Sequence, residues 1–234
     1  ALGGFSYGQR KQTDRGQMIV IASSDPATSS VAPPGGTRRL ITPNPLAVGW
    51  PTPDGAALID ISMSYTTNGM TARRRSEGRV FDHEWLQDGE GRPTRDPNAF
   101  FADPPGTLLP LGGPSAGHKG FALGILVETL TSALGGHGRA GAPGGWGANV
   151  FVLVLDPQRF AGAEAFLHET GWMEQAIAAN PPVPGGKPPH LPGTGARARK
   201  ADQLAHGVAL HPSIMPALAP RAAAAGLDVP PPLA

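Results

Sequence analysis

The sequence contains no cysteine and few aromatic residues. Among its 234 residues are two tyrosines, four tryptophans and eight phenylalanines. Without cysteine, the chain has no disulfides, no thiolate metal ligands and no cysteine nucleophile. This absence fits a reducing compartment, and we expect a cytoplasmic protein.

An excess of charge of either sign is also missing. Lys and Arg total 19 and Asp and Glu total 18, so the formal net charge is +1. Such a balance gives no electrostatic reason to bind nucleic acid or an anionic membrane. The longest apolar stretch, residues 121–134, includes Glu128 and is too short to cross a bilayer. We therefore expect neither nucleic acid nor a membrane as a partner.

Glycine and proline are abundant, with 33 and 27 residues. They interrupt clear apolar runs and form no continuous tract, which favours a folded protein rich in loops. β-branched apolar runs predict strands at residues 17–22, 46–50, 57–63 and 149–155. Apolar periodicity predicts helices over residues 121–134, 158–179 and 197–207.

The first predicted helix is apolar on almost all sides, so we expect it to be buried. Residues 108–117 before it are predicted to be extended, and residues 181–192 to form a stiff connector with six prolines. No repeat or domain linker is recognisable. Residues 1–220 are therefore predicted to form one domain, with residues 221–234 as a frayed Pro/Ala-rich tail.

Two glycine patterns match the dinucleotide-binding fingerprint by letter only. A predicted helix precedes Gly136, Gly138 and Gly141, and a proline-rich connector precedes Gly193 and Gly195. The fingerprint requires a strand that delivers its glycines to the start of a helix. Neither pattern therefore predicts a Rossmann loop.

Lys119 lies in a glycine-rich stretch where the first predicted helix begins. Glycine-rich backbone, a helix N-terminus and a lysine together favour contact with a cofactor phosphate or ribose. The alternative is a solvated lysine, and the residues alone leave both open. His118 beside it is able to titrate or to donate a hydrogen bond, although a lone histidine is more often structural.

Asp60 interrupts the apolar run ALIDISMSY. A buried carboxylate is costly unless it is paired or hydrogen-bonded, so Asp60 either closes a structural network or faces a ligand. Ser62, Ser64 and Thr66 share its face by the period of two. The alternative is the solvent face of an edge strand.

Other candidate sites are weaker. The set His83, Glu84 and Asp88 matches no established metal-ligand spacing, so no metal is predicted. The run Arg73–Arg75 is most simply a solvated face.

Seven segments, in order along the chain, resemble the malate/L-lactate dehydrogenase type 2 family. They are GGFSYG (3–8), SSDP (23–26), PPGGTRRLITPNPLAVGWP (33–51), DISMSYTTNGM (60–70), DGEGRPTRDP (88–97), LLPLGGPSAGHKGFAL (108–123) and LPG (191–193). Each segment is weak alone, but the ordered set is specific. The family includes malate, lactate, ureidoglycolate and sulfolactate enzymes and the reductases of cyclic 2-imino acids.

The resemblance implies an α/β fold with a family-specific mixed sheet that binds a nicotinamide cofactor, not a classical Rossmann domain, and usually a homodimer. It implies NAD or NADP as the cofactor and hydride transfer between the nicotinamide and C2 of a small 2-hydroxy or 2-oxo acid. It also implies cofactor contacts at Ser24, Asp60, Ile61, Ser62, Met63, Ser64, Tyr65, Thr66, His118, Lys119, Gly193, Thr194 and Gly195.

The sequence departs from the family pattern in three places. The segment Ile41–Pro45 reads Ile-Thr-Pro-Asn-Pro where the family has Gly-Thr-Asn-Pro, and Thr194 or Gly195 stands where an acid often follows Leu-Pro-Gly. The family's catalytic histidine and carboxylate-binding arginine correspond to positions before Ala1. We therefore assign no catalytic residue, and we expect that an N-terminal portion is missing and that this chain alone is inactive.

Three alternatives stay open. One is a non-catalytic remnant that keeps only the cofactor-binding or dimer surface. Another is a reductase of cyclic 2-imino acids, and the last is an unrelated binding protein rich in glycine and proline. The substrate and the choice between NAD and NADP are also open.

Overall fold

The computed structural model describes residues 5–145 and 147–229, which divide into two compact units. The first unit ends at His190 and the second begins at Leu191. The prediction of one domain up to residue 220 therefore differs from the observed division. The boundary falls inside the proline-rich connector, because proline lacks the backbone N–H that would tie such a segment into either unit.

The described residues form seven β-strands and six α-helices. The strands are β1 (Met18–Ser24), β2 (Leu46–Thr52), β3 (Gly55–Ile61), β4 (Leu86–Gln87), β5 (Pro93–Thr94), β6 (Thr107–Leu108) and β7 (Asn149–Leu155). The helices are α1 (Phe5–Thr13), α2 (Asn68–Ser76), α3 (Gly113–Glu128), α4 (Ala163–Ala178), α5 (Thr194–His206) and α6 (Ile214–Ala224).

The larger sheet contains four antiparallel strands in the order β3-β2-β1-β7. Its strands are the four that the β-branched runs predict, so that prediction is confirmed. The α/β class is confirmed as well, and an antiparallel sheet is not the parallel sheet of a doubly wound dinucleotide fold. Among the described residues, parallel pairing is limited to the single bridge between Val31 and Leu108.

A smaller three-stranded sheet, in the order β5-β4-β6, borders the main apolar core of the first unit. The buried members of this core are Val31, Ile41, Met63, Phe81, Leu86, Phe100 and Leu108. They come from loops and short strands far apart in sequence. The core therefore fixes the loops that leave the larger sheet, and these loops carry the candidate site described below.

Helix α3 packs through its glycines. Its buried positions recur every three or four residues and are Gly113, Gly117, Gly120, Gly124 and Val127. In contrast, Leu123 and Leu126 are 39% and 49% exposed. The prediction of a helix buried on all sides is wrong, because a glycine face lets the helix backbone approach the core closely while its large apolar side chains point elsewhere.

Helix α3 also begins earlier than the sequence predicts. Gly112 and Gly113 have left-handed φ angles of 95° and 58°, which turn the chain into the helix. Pro114 fits the first helical turn, where its missing N–H costs nothing. The predicted extended segment over residues 108–117 is therefore wrong from Gly113 onwards.

The second unit contains helices α5 and α6. Helix α5 confirms the helix predicted over residues 197–207, with a start three residues earlier. Helix α6 continues to Ala224, beyond the predicted start of the frayed tail at residue 221. Its alanines explain this difference, since alanine has the highest helix propensity.

Residues 230–234 of the predicted tail lie outside the described residues. Within the described part of the chain, no helix combines the length and apolar character that a membrane crossing requires.

Candidate functional site

A cavity of about 340 Å³ lies at one end of the larger sheet. Strands β1 and β3 end there and strands β2 and β7 begin there, since Ala22 pairs with Leu46, Leu46 with Ile61, and Ser24 with Asn149. The antiparallel register thus brings four loops to one place. The residues that line the cavity include Ser24, Asp25, Asn44, Ser62, Asn68 and Gly69.

Ser24 is buried at the end of β1 and contacts two hydroxyl groups. Its Oγ lies 2.7 Å from Oγ1 of Thr131 and 3.2 Å from Oγ of Ser132. Thr131 donates its own proton to the carbonyl of Val127, and Ser132 donates to Glu128. Each hydroxyl has one proton, so with the protons of Thr131 and Ser132 used in this way Ser24 donates its single proton to one of them, and Thr131 is the nearer. Its lone pairs remain available to a ligand that donates.

Ser62 follows strand β3 and has a similar arrangement. Its hydroxyl donates to the carbonyl of Ser64 at 3.2 Å, so its proton is also used within the protein. Asp25 is the one charged side chain among the described residues that line the cavity. This wall therefore presents oxygen acceptors, namely two hydroxyls and one carboxylate.

The start of helix α2 supplies donors to the same cavity. Thr67 caps this helix by accepting a hydrogen bond from the backbone N–H of Met70. The first N–H groups of a helix, here those of Asn68 and Gly69, have no intrahelical acceptor. A Cβ built on Gly69 would meet nothing within 4 Å, so the space beside it is open. The cavity can thus take a ligand that carries both donors and anionic acceptors.

The predicted stretch from Asp60 to Thr66 does not face a single site. Only Ser62 lines the cavity, while Asp60 and Ile61 belong to strand β3. Met63 joins the apolar core, and Ser64 and Thr66 are buried. Tyr65 stacks on Trp85 with ring centroids 6.4 Å apart.

The solvent-face alternative for Ser64 and Thr66 is wrong, because the chain leaves the regular strand after Ile61. Ser64 then donates to the carbonyl of Thr66 at 2.7 Å, a local bond that turns the backbone inward. Two-residue periodicity holds only along a continuous strand.

His118 and Lys119 are exposed residues of the second turn of α3, and neither lines the cavity. Helix α3 is kinked at Ala116, whose backbone angles are not helical, so Lys119 lies in the first turn of the continuous helix that follows the kink. The expectation that Lys119 stands near a helix start is therefore confirmed. The contact of Lys119 with a cofactor stays a prediction.

Gly193, Thr194 and Gly195 lie in the second unit, at the start of helix α5. Gly193 has a φ of 100° and caps this helix, and Thr194 and Gly195 are its first residues. The left-handed conformation explains why glycine occupies position 193.

The loose set His83, Glu84 and Asp88 does not assemble into one site. His83 and Glu84 line a separate groove of about 640 Å³ beside Tyr65, whereas Asp88 does not. Asp88 instead accepts hydrogen bonds from the backbone N–H groups of Glu90 and Arg92. The Arg92 N–H holds the pKa of the Asp88 carboxyl below its usual value, so Asp88 stabilises a turn.

The sequence reasoning missed the start of helix α2. The helices that the sequence predicts do not include residues 68–76. Thr67 is a favoured N-cap residue, and this signal would have located the helix start. It would also have shown that Arg73–Arg75 lie at the opposite, C-terminal end of α2.

The malate/L-lactate dehydrogenase family model matches residues 2–219 of this chain. A Δ1-pyrroline-2-carboxylate reductase of Agrobacterium fabrum is 38% identical over 110 residues, which are 47% of this chain and 30% of that protein. An L-lactate dehydrogenase of Cupriavidus necator is 31% identical over 190 residues, which are 79% of this chain and 53% of that protein.

Solved structures agree on the fold. A malate dehydrogenase from Entamoeba histolytica superposes with a TM-score of 0.85 at 20% identity, covering 96% of this chain and 65% of that one. This likeness shows the fold alone. The chain spans between 30% and 56% of the length of the curated relatives it matches.

Proposed function

Because this chain belongs to the malate/L-lactate dehydrogenase family, we propose that it supplies cofactor-binding elements of an NAD(P)-dependent oxidoreductase. In this proposal, hydride passes between the nicotinamide and C2 of a small 2-hydroxy or 2-oxo acid. The observation that carries the proposal is the cavity at the end of the larger sheet, where Ser24 and Ser62 meet the start of helix α2.

The polar groups of the cavity match the chemistry of a nicotinamide dinucleotide. Such a cofactor carries ribose hydroxyls and a carboxamide, which donate, and a diphosphate, which only accepts. The hydroxyl protons of Ser24 and Ser62 are used within the protein, so these hydroxyls would accept hydrogen bonds from the ribose hydroxyls or the carboxamide. The backbone N–H groups of Asn68 and Gly69 would donate hydrogen bonds to the diphosphate. At about 340 Å³ the cavity would hold part of the cofactor.

The bound cofactor supplies the hydride donor or acceptor, and the protein supplies its binding and orientation. Ser24 suits this role because its contacts with Thr131 and Ser132 fix the direction of its hydroxyl. No residue of this chain is proposed as the proton donor.

The charges near the cavity favour NAD over NADP in our proposal. Arg73 forms an ion pair with Glu77, and Arg74 and Arg75 lie over the rings of Phe81 and Phe101. These arginines are therefore engaged elsewhere, and Asp25 would repel a 2′-phosphate bound beside it. We expect tighter binding of NADH than of NADPH.

Reduction of a cyclic 2-imino acid is the second candidate activity. The observation that favours it is the 38% identity to the reductase of Agrobacterium fabrum. Both activities deliver hydride to a carbon that bears a carboxylate. Assays of the full-length protein with pyruvate, oxaloacetate and Δ1-pyrroline-2-carboxylate would separate them, and turnover of none of the three would favour the non-catalytic alternative.

Ser24→Ala in the full-length protein tests the cofactor site. The substitution removes one acceptor but leaves Thr131 and Ser132 their own acceptors, so folding should be little affected. We expect the NADH dissociation constant, measured by fluorescence titration, to rise about two- to tenfold, the effect of one neutral hydrogen bond.

Ser76→Ala is the matched control, because Ser76 is an exposed serine at the far end of α2. It should bind NADH like the wild type. Equal affinity in all three proteins would remove Ser24 from the site, and absence of NADH and NADPH binding by the wild type would contradict the proposed function.

A further inference from the structure

A partly buried ion pair lies behind the cavity. Nη2 of Arg139 lies 2.8 Å from Oε1 of Glu128, and the two side chains are only 21% and 14% exposed. Neither residue lines the cavity. Both border a neighbouring cavity of about 520 Å³. The pair therefore lies in the layer of protein between the two cavities.

Arg139 holds the loop that follows strand β1. It donates from Nη2 to the carbonyl of Asp25 at 2.8 Å and from Nη1 to the carbonyl of Thr28 at 2.5 Å. These bonds fix both ends of a four-residue turn whose first residue lines the cavity. A planar guanidinium can make them together with the contact to Glu128, whereas a lysine ammonium cannot.

Glu128 accepts hydrogen bonds from two further residues, Asn44 and Ser132. Its Oε1 accepts from Nδ2 of Asn44 at 3.0 Å, and its Oε2 accepts from Oγ of Ser132 at 3.2 Å. Ser132 in turn contacts Ser24. Three residues of the cavity wall, Ser24, Asp25 and Asn44, are thus connected to one ion pair.

We infer that Glu128 and Arg139 are positioning residues of the proposed cofactor site. They act through Ser24, Asp25 and Asn44, whose distances from one another they fix. The inference rests on the proposed function for the identity of the ligand, but the bracing of the cavity walls can be measured without any ligand. If the pair only stabilised the fold, its loss would loosen the whole first unit and not these walls in particular.

Arg139→Lys in the full-length protein is the principal test. It keeps the positive charge beside Glu128 and removes the simultaneous bonds to Asp25 and Thr28. Backbone hydrogen exchange should accelerate in peptides covering residues 23–30 and 42–45 and stay unchanged in strands β2 and β3. The NADH dissociation constant should rise about tenfold, the scale of one charge-assisted hydrogen bond.

Two further variants complete the experiment. Glu128→Gln keeps the shape and the acceptor for Asn44 but removes the charge, so it should accelerate exchange in the same peptides by a smaller factor. If Arg139→Lys fails to fold, Glu128→Gln tests the inference by the same two measurements, hydrogen exchange and NADH affinity. Arg92→Lys is the control, because Arg92 makes an exposed ion pair with Asp88, and it should change neither measurement.

The outcomes separate the inference from the proposed function. Faster exchange confined to the two wall peptides would support the positioning role of the ion pair. If the wild type at the same time bound neither NADH nor NADPH, the proposed cofactor would be contradicted. Unchanged exchange in the two wall peptides, general acceleration across the first unit in both pair variants, or local acceleration with unchanged NADH affinity would each overturn the inference.

Discussion

Asn44 is a buried residue in a left-handed backbone conformation, with a φ of 41°. Its side chain connects three parts of the first unit by donating to the carbonyl of Gly124 and to Glu128 and by accepting from Thr42. Asparagine tolerates this conformation better than most residues. The departure from the family pattern, Pro43 between Thr42 and Asn44, is thus accommodated by a residue that is both turn former and bridge.

Substitutions of Asn44 would separate these two roles. Asn44→Gly keeps the favourable backbone and loses the side-chain bonds, whereas Asn44→Ala loses both. We expect Asn44→Ala to lower the free energy of unfolding by about 2–4 kcal/mol, because partners of a buried amide are left unsatisfied. Asn44→Gly should lower the free energy of unfolding by about 1 kcal/mol less than Asn44→Ala does, because glycine adopts the left-handed backbone without a steric penalty.

Urea unfolding of the full-length protein would measure both values. Equal losses of stability for the alanine and glycine variants would mean that the backbone conformation of Asn44 carries no strain.

At the scale of elements, α3 shows how a helix can be anchored by residues without side chains. A Cβ built on Gly124 would lie 2.7 Å from Cδ1 of Ile41 and 2.9 Å from Cε of Met63. Both neighbours belong to the apolar core, so an added methyl group would have to displace the ends of two core side chains. The glycine therefore sets the distance between α3 and the core.

Gly124→Ala should destabilise the protein by about 1–3 kcal/mol, because overpacking exceeds the gain in helix propensity. The matched control is Gly69→Ala in α2, where the added methyl group meets nothing within 4 Å. That variant should be as stable as the wild type or slightly more stable. A stabilising effect of Gly124→Ala in thermal unfolding would show that the core yields at this point.

At the scale of the whole molecule, strand β7 is an apolar edge of the larger sheet. Val150, Val152 and Val154 are 52%, 56% and 41% exposed, and within the described part of the chain β7 pairs only with β1. An exposed apolar edge strand without charges offers its free backbone groups to another chain. The homodimer that the family resemblance implies stays a prediction, and β7 gives a way to test it.

Val152→Lys should lower the dimer fraction of the full-length protein in sedimentation velocity at a fixed concentration, because a buried lysine at a subunit contact is costly. Val80→Lys is the control, since Val80 is also about half exposed, at 51%, but lies outside the sheet. A monomeric wild type would contradict the homodimer, and equal dimer fractions in the two variants would exclude β7 from its contact.

The sequence by itself determined the strands of the larger sheet and the family. Runs such as residues 17–22 and 149–155 predict strands because β-branched side chains restrict the backbone locally. The ordered motifs carried the family for a similar reason, since each reports on a few neighbouring residues. The shared face of residues 60–66 was predicted from the same kind of local pattern, and there the prediction failed because strand β3 ends at Ile61.

Only the tertiary structure decided which residues meet. Ser24, Ser62 and Gly69 line one cavity because the antiparallel register places the ends of β1 and β3 together. The contact of Arg139 with Glu128 and the glycine face of α3 depend likewise on close approach between distant segments. Propensity and periodicity act over a few residues, whereas such contacts depend on register and on space that glycine leaves open.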